Sequence, residues 1–151
     1  MNWTDSKYNF YNPVSDTAAI RILNPPLLLI AKDVCNVRSG ETSPDVVPAV
    51  LGDTIEFMLT LTNAGDTDAR NIVMLDSIPF STIYETSSAF DTTVYDTYNL
   101  PPDTITFQHV ASGAFDTGDT GTITAIKWQW DKIEGMYTYN KRIVKFRVKV
   151  Q

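Results

Sequence analysis

Hydrophobic and polar residues alternate over long stretches of this chain. From Thr54 to Thr62, Ile55, Phe57, Leu59 and Leu61 fall on one face and Thr54, Glu56, Met58, Thr60 and Thr62 on the other. A period of two is what a strand with one buried face requires. The end of the chain repeats it, with Val144, Phe146, Val148 and Val150 alternating with Lys145, Arg147 and Lys149. Ile126, Trp128 and Trp130 share a face of a third strand, with Tyr137 and Tyr139 beyond the following turn. Alternation and turn residues predict strands near 17–23, 27–35, 54–63, 70–76, 82–86, 103–109, 121–130 and 137–150, and a short one near 93–98. Loops are expected at Val37–Val50, at Ser87–Pro102, whose Pro101-Pro102 does not suit a central strand, and at the glycine- and aspartate-rich Ser112–Gly121. No credible amphipathic helix interrupts this series. The expectation is an all-β, antiparallel β-sandwich of about seven to nine strands, with Phe57, Leu59, Leu61, Trp128, Phe146 and Val148 in one inter-sheet core.

Particular words flank these strands. Gly52-Asp53-Thr54 precedes the central one, Thr62-Asn63-Ala64-Gly65-Asp66-Thr67-Asp68-Ala69 follows it, and a short apolar strand ends in Leu75-Asp76-Ser77-Ile78-Pro79. Leu28 to Lys32 reads as an opening strand, and Trp130 to Gly135 with Ile143 to Val150 as a closing hairpin. From about Leu27 to Val150 the chain resembles the bacterial cell-surface repeat known as domain of unknown function eleven. The resemblance implies an immunoglobulin-like sandwich of the kind found in tandem in long exported proteins. It implies no catalytic activity, and it points to a structural or adhesive module whose individual features lie between Phe80 and Thr120, where the chain departs from the repeat.

On this reading residues 1–26 form an N-terminal segment, the last strand of a preceding repeat followed by the stiff linker Asn24-Pro25-Pro26, and residues 27–151 form the sandwich. The competing reading makes residues 1–23 an edge strand of one enlarged sandwich. Composition agrees with the all-β class: 43% hydrophobic residues and 20% charged suffice for a core in one 151-residue domain. A net charge of −6 argues against a nucleic-acid partner, because phosphate binding needs a basic surface. Cys35 is the single cysteine, so no intramolecular disulfide forms. The longest apolar run, Leu27 to Ala31, is far too short to span a membrane as a helix. The polar start has no signal-peptide core, so the extracellular or cell-surface location implied by the resemblance would need a signal and an anchor elsewhere in the parent protein.

Candidate chemistry is sparse. His109 is the only histidine and lies in a strand without a nucleophile turn, so no catalytic residue and no cofactor is assigned. Asp116 and Asp119 beside Gly118 and Gly121, and Asp66 with Asp68, have the composition of calcium loops, but their spacing fits no EF-hand and aspartate serves turns equally well, so no metal site is assigned. Lys32 shares a face with Leu28 and Ile30 and points inward, where it needs a partner: Asp76 as a salt bridge, or Asn63, Asn71 or Asn140 in an isopeptide bond with Glu56 or Asp76 as the acid. The row Lys145, Arg147, Lys149 reads as a solvated face that discourages edge pairing, or as a site for an acidic glycan or lipid headgroup. Binding is otherwise expected in the irregular loops, through Tyr95, Tyr98, Phe115, Asp116 and Asp119, with Trp130 as a partly exposed ring at a strand end. The partners foreseen are a protein or carbohydrate on another surface, neighbouring repeats, and further copies of the chain. The alternative to a spacer or adhesive module is a glycan-binding tip that uses the loop aromatics.

Overall fold

The computed structural model describes residues 23–90, 99–136 and 139–151. Two antiparallel sheets pack face to face, as the alternation requires. The first contains β1 (Leu28–Asn36), β2 (Glu41–Ser43), β3 (Thr54–Asn63), β5 (Thr82–Tyr84) and β9 (Lys141–Val150) in the order β2-β1-β3-β9-β5. The second contains β4 (Ala69–Ser77), β6 (Thr104–His109), β7 (Phe115–Asp116) and β8 (Ile123–Ile133) in the order β4-β8-β6-β7. Both sheets interleave strands distant in sequence, so the core forms only when the whole domain closes.

β3 is the axis of the first sheet. It pairs with β1 from Asn63↔Leu28 to Ile55↔Asn36 and with β9 from Thr54↔Lys149 to Thr62↔Lys141. Its inward residues Ile55, Leu59 and Leu61 are buried with Val144, Phe146 and Val148 of β9. Ile72, Met74, Phe107, Ile126, Trp128, Trp130 and Ile133 meet them from the second sheet. Phe57 is the partial exception. It is half-buried and packs on the core's rim, its ring stacked 5.2 Å from Phe146. Trp128 completes the aromatic series, its centroid 6.0 Å from Phe146.

Three expected loops carry short regular elements. Val37–Val50 contains β2, because Gly40 at φ 73° donates its N–H to the Asn36 carbonyl and turns the chain back onto Cys35 and Asn36. A 3-10 turn forms at Ser88–Phe90, and Phe115-Asp116 pairs with β6 as β7. β8 runs to Ile133, three residues beyond the expected end. The strands foreseen at 17–23 and 93–98 lie almost wholly or wholly outside the described residues, as do the first residues of the closing strand expected at 137–150.

Replacing Phe146 by Ala should destabilise the domain by about 3–5 kcal/mol, and Phe57 by Ala by clearly less, since one ring is enclosed and the other lies at the rim. Exposed Val73 to Ala should fall within about 0.5 kcal/mol of the parent. Denaturant unfolding measures all three, and an equal loss at Phe146 and Val73 would contradict this core.

Candidate functional site

The polar chemistry of the domain gathers at its two ends. Where the chain enters, Asn63 is fully buried and accepts hydrogen bonds from the N–H groups of Leu27 and Gly65. Its amide donates to the carbonyls of Thr67 and Ile133, so all its capacity is used. Gly65 has no room for a side chain: a Cβ there would meet the Pro25 carbonyl oxygen at 2.1 Å. Gly135 is enclosed in the same way against Asp66 and Thr67. The Thr-Asn-Ala-Gly-Asp word thus fastens the incoming chain, the β3–β4 turn and the end of β8 into one knot.

Beside it Arg142, 2% exposed, points inward in phase with Val144 and Phe146. Its guanidinium donates to the carbonyls of Tyr139, Lys141 and Lys132 and meets Glu134 Oε2 at 2.9 Å. Burial pushes the Glu134 carboxyl up, but its own N–H, Arg142 and Lys132 outweigh that and hold it below the ordinary value. At the opposite end Asp53 is buried. It accepts from the Val50 N–H, the Asn36 amide and Arg38, and these bonds depress its carboxyl against the cost of burial. Asn36 also donates to the Pro48 carbonyl.

Lys32 finds the partner expected of a salt bridge. Its ammonium reaches Asp76 Oδ2 at 2.5 Å, joining β1 to β4 across the sandwich, and lies 4.5 Å from the centre of the Phe57 ring. The amides of Asn63 and Asn140 are engaged at the knot instead, and Glu56 faces the other side of the sheet. There Glu56 holds Arg147 at 2.7 Å and Lys145 at 3.8 Å, so the cationic row is partly neutralised within its own sheet.

The residues proposed for ligand binding do not converge on one surface. Tyr95 and Tyr98 lie outside the described residues. Trp130 is 3% exposed, not partly exposed as its place near a strand end suggested, because β8 continues past it and Ile72 of β4 pairs with it. Phe115 is half-buried, with the Lys127 ammonium 4.6 Å over its ring. Asp116 accepts from the Gly118 N–H and faces His109 Nε2 at 3.1 Å, while Asp119 accepts from the Ser87 N–H. Asp66 takes both the N–H and the amide of Asn24, and Asp68 the N–H of Gly135. These aspartates serve loop geometry, as turn carboxylates do. Among the described residues no three His, Cys, Asp or Glu side chains converge on a point where a metal ion could sit. No described helix is long and apolar enough to cross a membrane.

A concavity of about 610 Å³ is an open groove at the β9 C-terminal end, lined by Leu51, Gly52, Thr54, Ile83, Tyr84, Glu85, Lys149 and Val150. Tyr84 is raised by burial, its hydroxyl accepting from the Ala89 N–H. Glu85 and Lys149 stand on its rim.

The depressed carboxyls of Asp53 and Glu134 stabilise the fold above their ordinary values of 3.8 and 4.5. That contribution is lost as pH falls through and below those values, since protonation breaks bonds made only in the folded state. Thermal unfolding should show a plateau near neutrality and a decline beginning just above pH 4.5. Glu134→Gln should lower the plateau and flatten the decline, and an undiminished acid slope in that variant would refute the assignment. Searches of family models, of curated proteins and of solved structures find no match to this chain, so the resemblance to the surface repeat rests on the residues that carry it.

Proposed function

We propose that this domain is a non-enzymatic structural or adhesive module of a larger exported bacterial surface or fibre protein, and that its central task is to transmit tension between neighbouring modules. The observation that carries this reading is the course of the chain. It enters through β1 at the Asn63 end and leaves through β9 at the Asp53 end. Both strands are antiparallel to β3 and flank it, so they run in the same direction.

Tension applied to the two ends therefore slides β1 and β9 against β3 lengthwise. Interstrand hydrogen bonds lie across that direction, so each ladder is loaded in shear and must yield over many bonds together. The salt bridge of Lys32 to Asp76 adds resistance by tying the loaded strand β1 to the other sheet. A glycan-binding tip is less favoured, because Trp130 lies in the core and the face of Phe115 is taken by Lys127. Adhesion to a protein surface fits the open groove and the free strand edges better than sugar stacking does.

Single-molecule pulling tests the central claim. Tethered through its two termini, the domain should rupture in one cooperative event at a force several-fold above that needed when it is tethered at Leu51 and Gln151. Those two positions lie at the same end, where β3 and β9 separate pair by pair, like an opening zip. Equal forces in the two geometries would remove the mechanical reading.

A further inference from the structure

The sheet edges of this domain are guarded unequally. β9, flanked by the three-residue β5 only at its far end, is closed further along by side chains. Asn99 receives the Ile143 N–H on its amide oxygen and donates its amide to the Ile143 carbonyl, as a strand residue would. Ser88 does the same for Arg147, receiving its N–H and facing its carbonyl. β2, β5 and β7 are two or three residues long. β4 is interrupted at Asn71, φ 53°, and carries Arg70 and Asp76. These are the usual means of blunting an edge.

β1 lacks them. β2 covers only Val34 to Asn36, and among the described residues no strand pairs with Leu28–Asp33 on the side away from β3. Leu27, Leu28, Leu29 and Ile30 are 55%, 42%, 52% and 60% exposed, four consecutive apolar residues on an open edge. A long, apolar, unpaired edge is a template for another strand.

We propose that this edge receives residues 17–23 of a second copy of the chain. The segment has the required pattern, Ala18, Ile20 and Ile22 on one face and Thr17, Ala19 and Arg21 on the other. Seven extended residues span about 23 Å, and the six free residues of β1 about 20 Å. The described residues that lead into β1 lie away from that edge. Ala64 donates to the Leu27 carbonyl, Leu27 to the Asn63 side chain, and Asp66 to the Asn24 carbonyl, with Asp66 Oδ2 accepting from the Asn24 N–H. These bonds hold residues 24–27 on the β3 side of β1 and beyond the end of the ladder, away from the free edge. Between Thr17 and Leu23 there is no Gly, Pro, Asn or Asp to turn the chain back. Each copy thus carries both an acceptor edge and a donor segment. Exchange closes a dimer where it is reciprocal and extends a filament where it is not. A monomer under tension and a strand-exchanged assembly are independent propositions, so either stands without the other.

Cross-linking of the full-length chain decides it, with Cys35 replaced by Ser in every variant. Ile20→Cys or Ile22→Cys protein, mixed with isotope-labelled Ile30→Cys protein and oxidised, should give a labelled–unlabelled covalent dimer. Light scattering on the parent chain should show a mass at least twice 16.9 kDa at high concentration. It should return to the monomer in Ile30→Lys, whose exposed position leaves the folded domain and its melting temperature intact. A parent that stays monomeric, dimers only between like variants, or an internal cross-link in a chain carrying both Ile20→Cys and Ile30→Cys would each overturn the proposal.

Discussion

β3 is bonded along nearly its whole length on both sides, and every other feature of the domain is referred to it. Its ladder with β9 sets Phe57 opposite Phe146, and its ladder with β1 sets Leu59 opposite Lys32 and Phe57 opposite Val34. A slip of one residue in either ladder would send one sheet's apolar set into water and its charged set into the core. Which face of each strand turns inward is therefore held by the full burial energy of the sandwich rather than by any single contact. That leaves the turns free to be long, as the chain between β5 and β6 is.

The two ends of the ladder are held differently from its middle. Buried amides cost free energy unless every donor and acceptor is matched, and matched networks specify one arrangement more sharply than apolar packing does. Asn63 at one end and Asn36 with Asp53 at the other meet that condition. Arg142 meets most of it, with its Nε unpaired among the described residues. The apolar middle supplies the stabilisation, and the polar ends select which residue of β1 lies beside which residue of β3. Lys32 belongs to both groups, its ammonium satisfied by Asp76 and by the faces of Phe57 and Phe146.

Much of this architecture was legible because it is governed by local periodicity. The strict alternation at Thr54–Thr62 showed the buried face of β3, and the inward lysine needed a partner, for which Asp76 was one of the candidates. Arg142 was missed although it lies in phase with Val144 and Phe146, since a cation at a strand end ordinarily reaches solvent. Nothing local shows that a hairpin closes over it with four carbonyl and carboxylate oxygens. Trp130 was misplaced because its exposure depended on where β8 ends, and strand ends are set by partners rather than by pattern. The continuous run Leu27 to Ala31 announced a strand, but a run without alternation carries no record of which side is covered. In the 112–121 loop the composition named the residues but not their partners: Asp119 is taken by the Ser87 N–H, 32 residues away, which no short-range pattern encodes.

At Ile143 the closure of the β9 edge is made by the amide of Asn99, and that has a chemical consequence. A carboxamide offers a donor and an acceptor, which is why it matches the Ile143 N–H and carbonyl at once. Hydrolysis of that amide to a carboxylate keeps the acceptor and replaces the donor with a second oxygen facing the Ile143 carbonyl. The match becomes a repulsion without any change in the shape of the side chain. Asparagine is among the thermolabile residues. The seal at Ile143 is accordingly sensitive to the covalent state of one side chain, a dependence separate from the packing of the core.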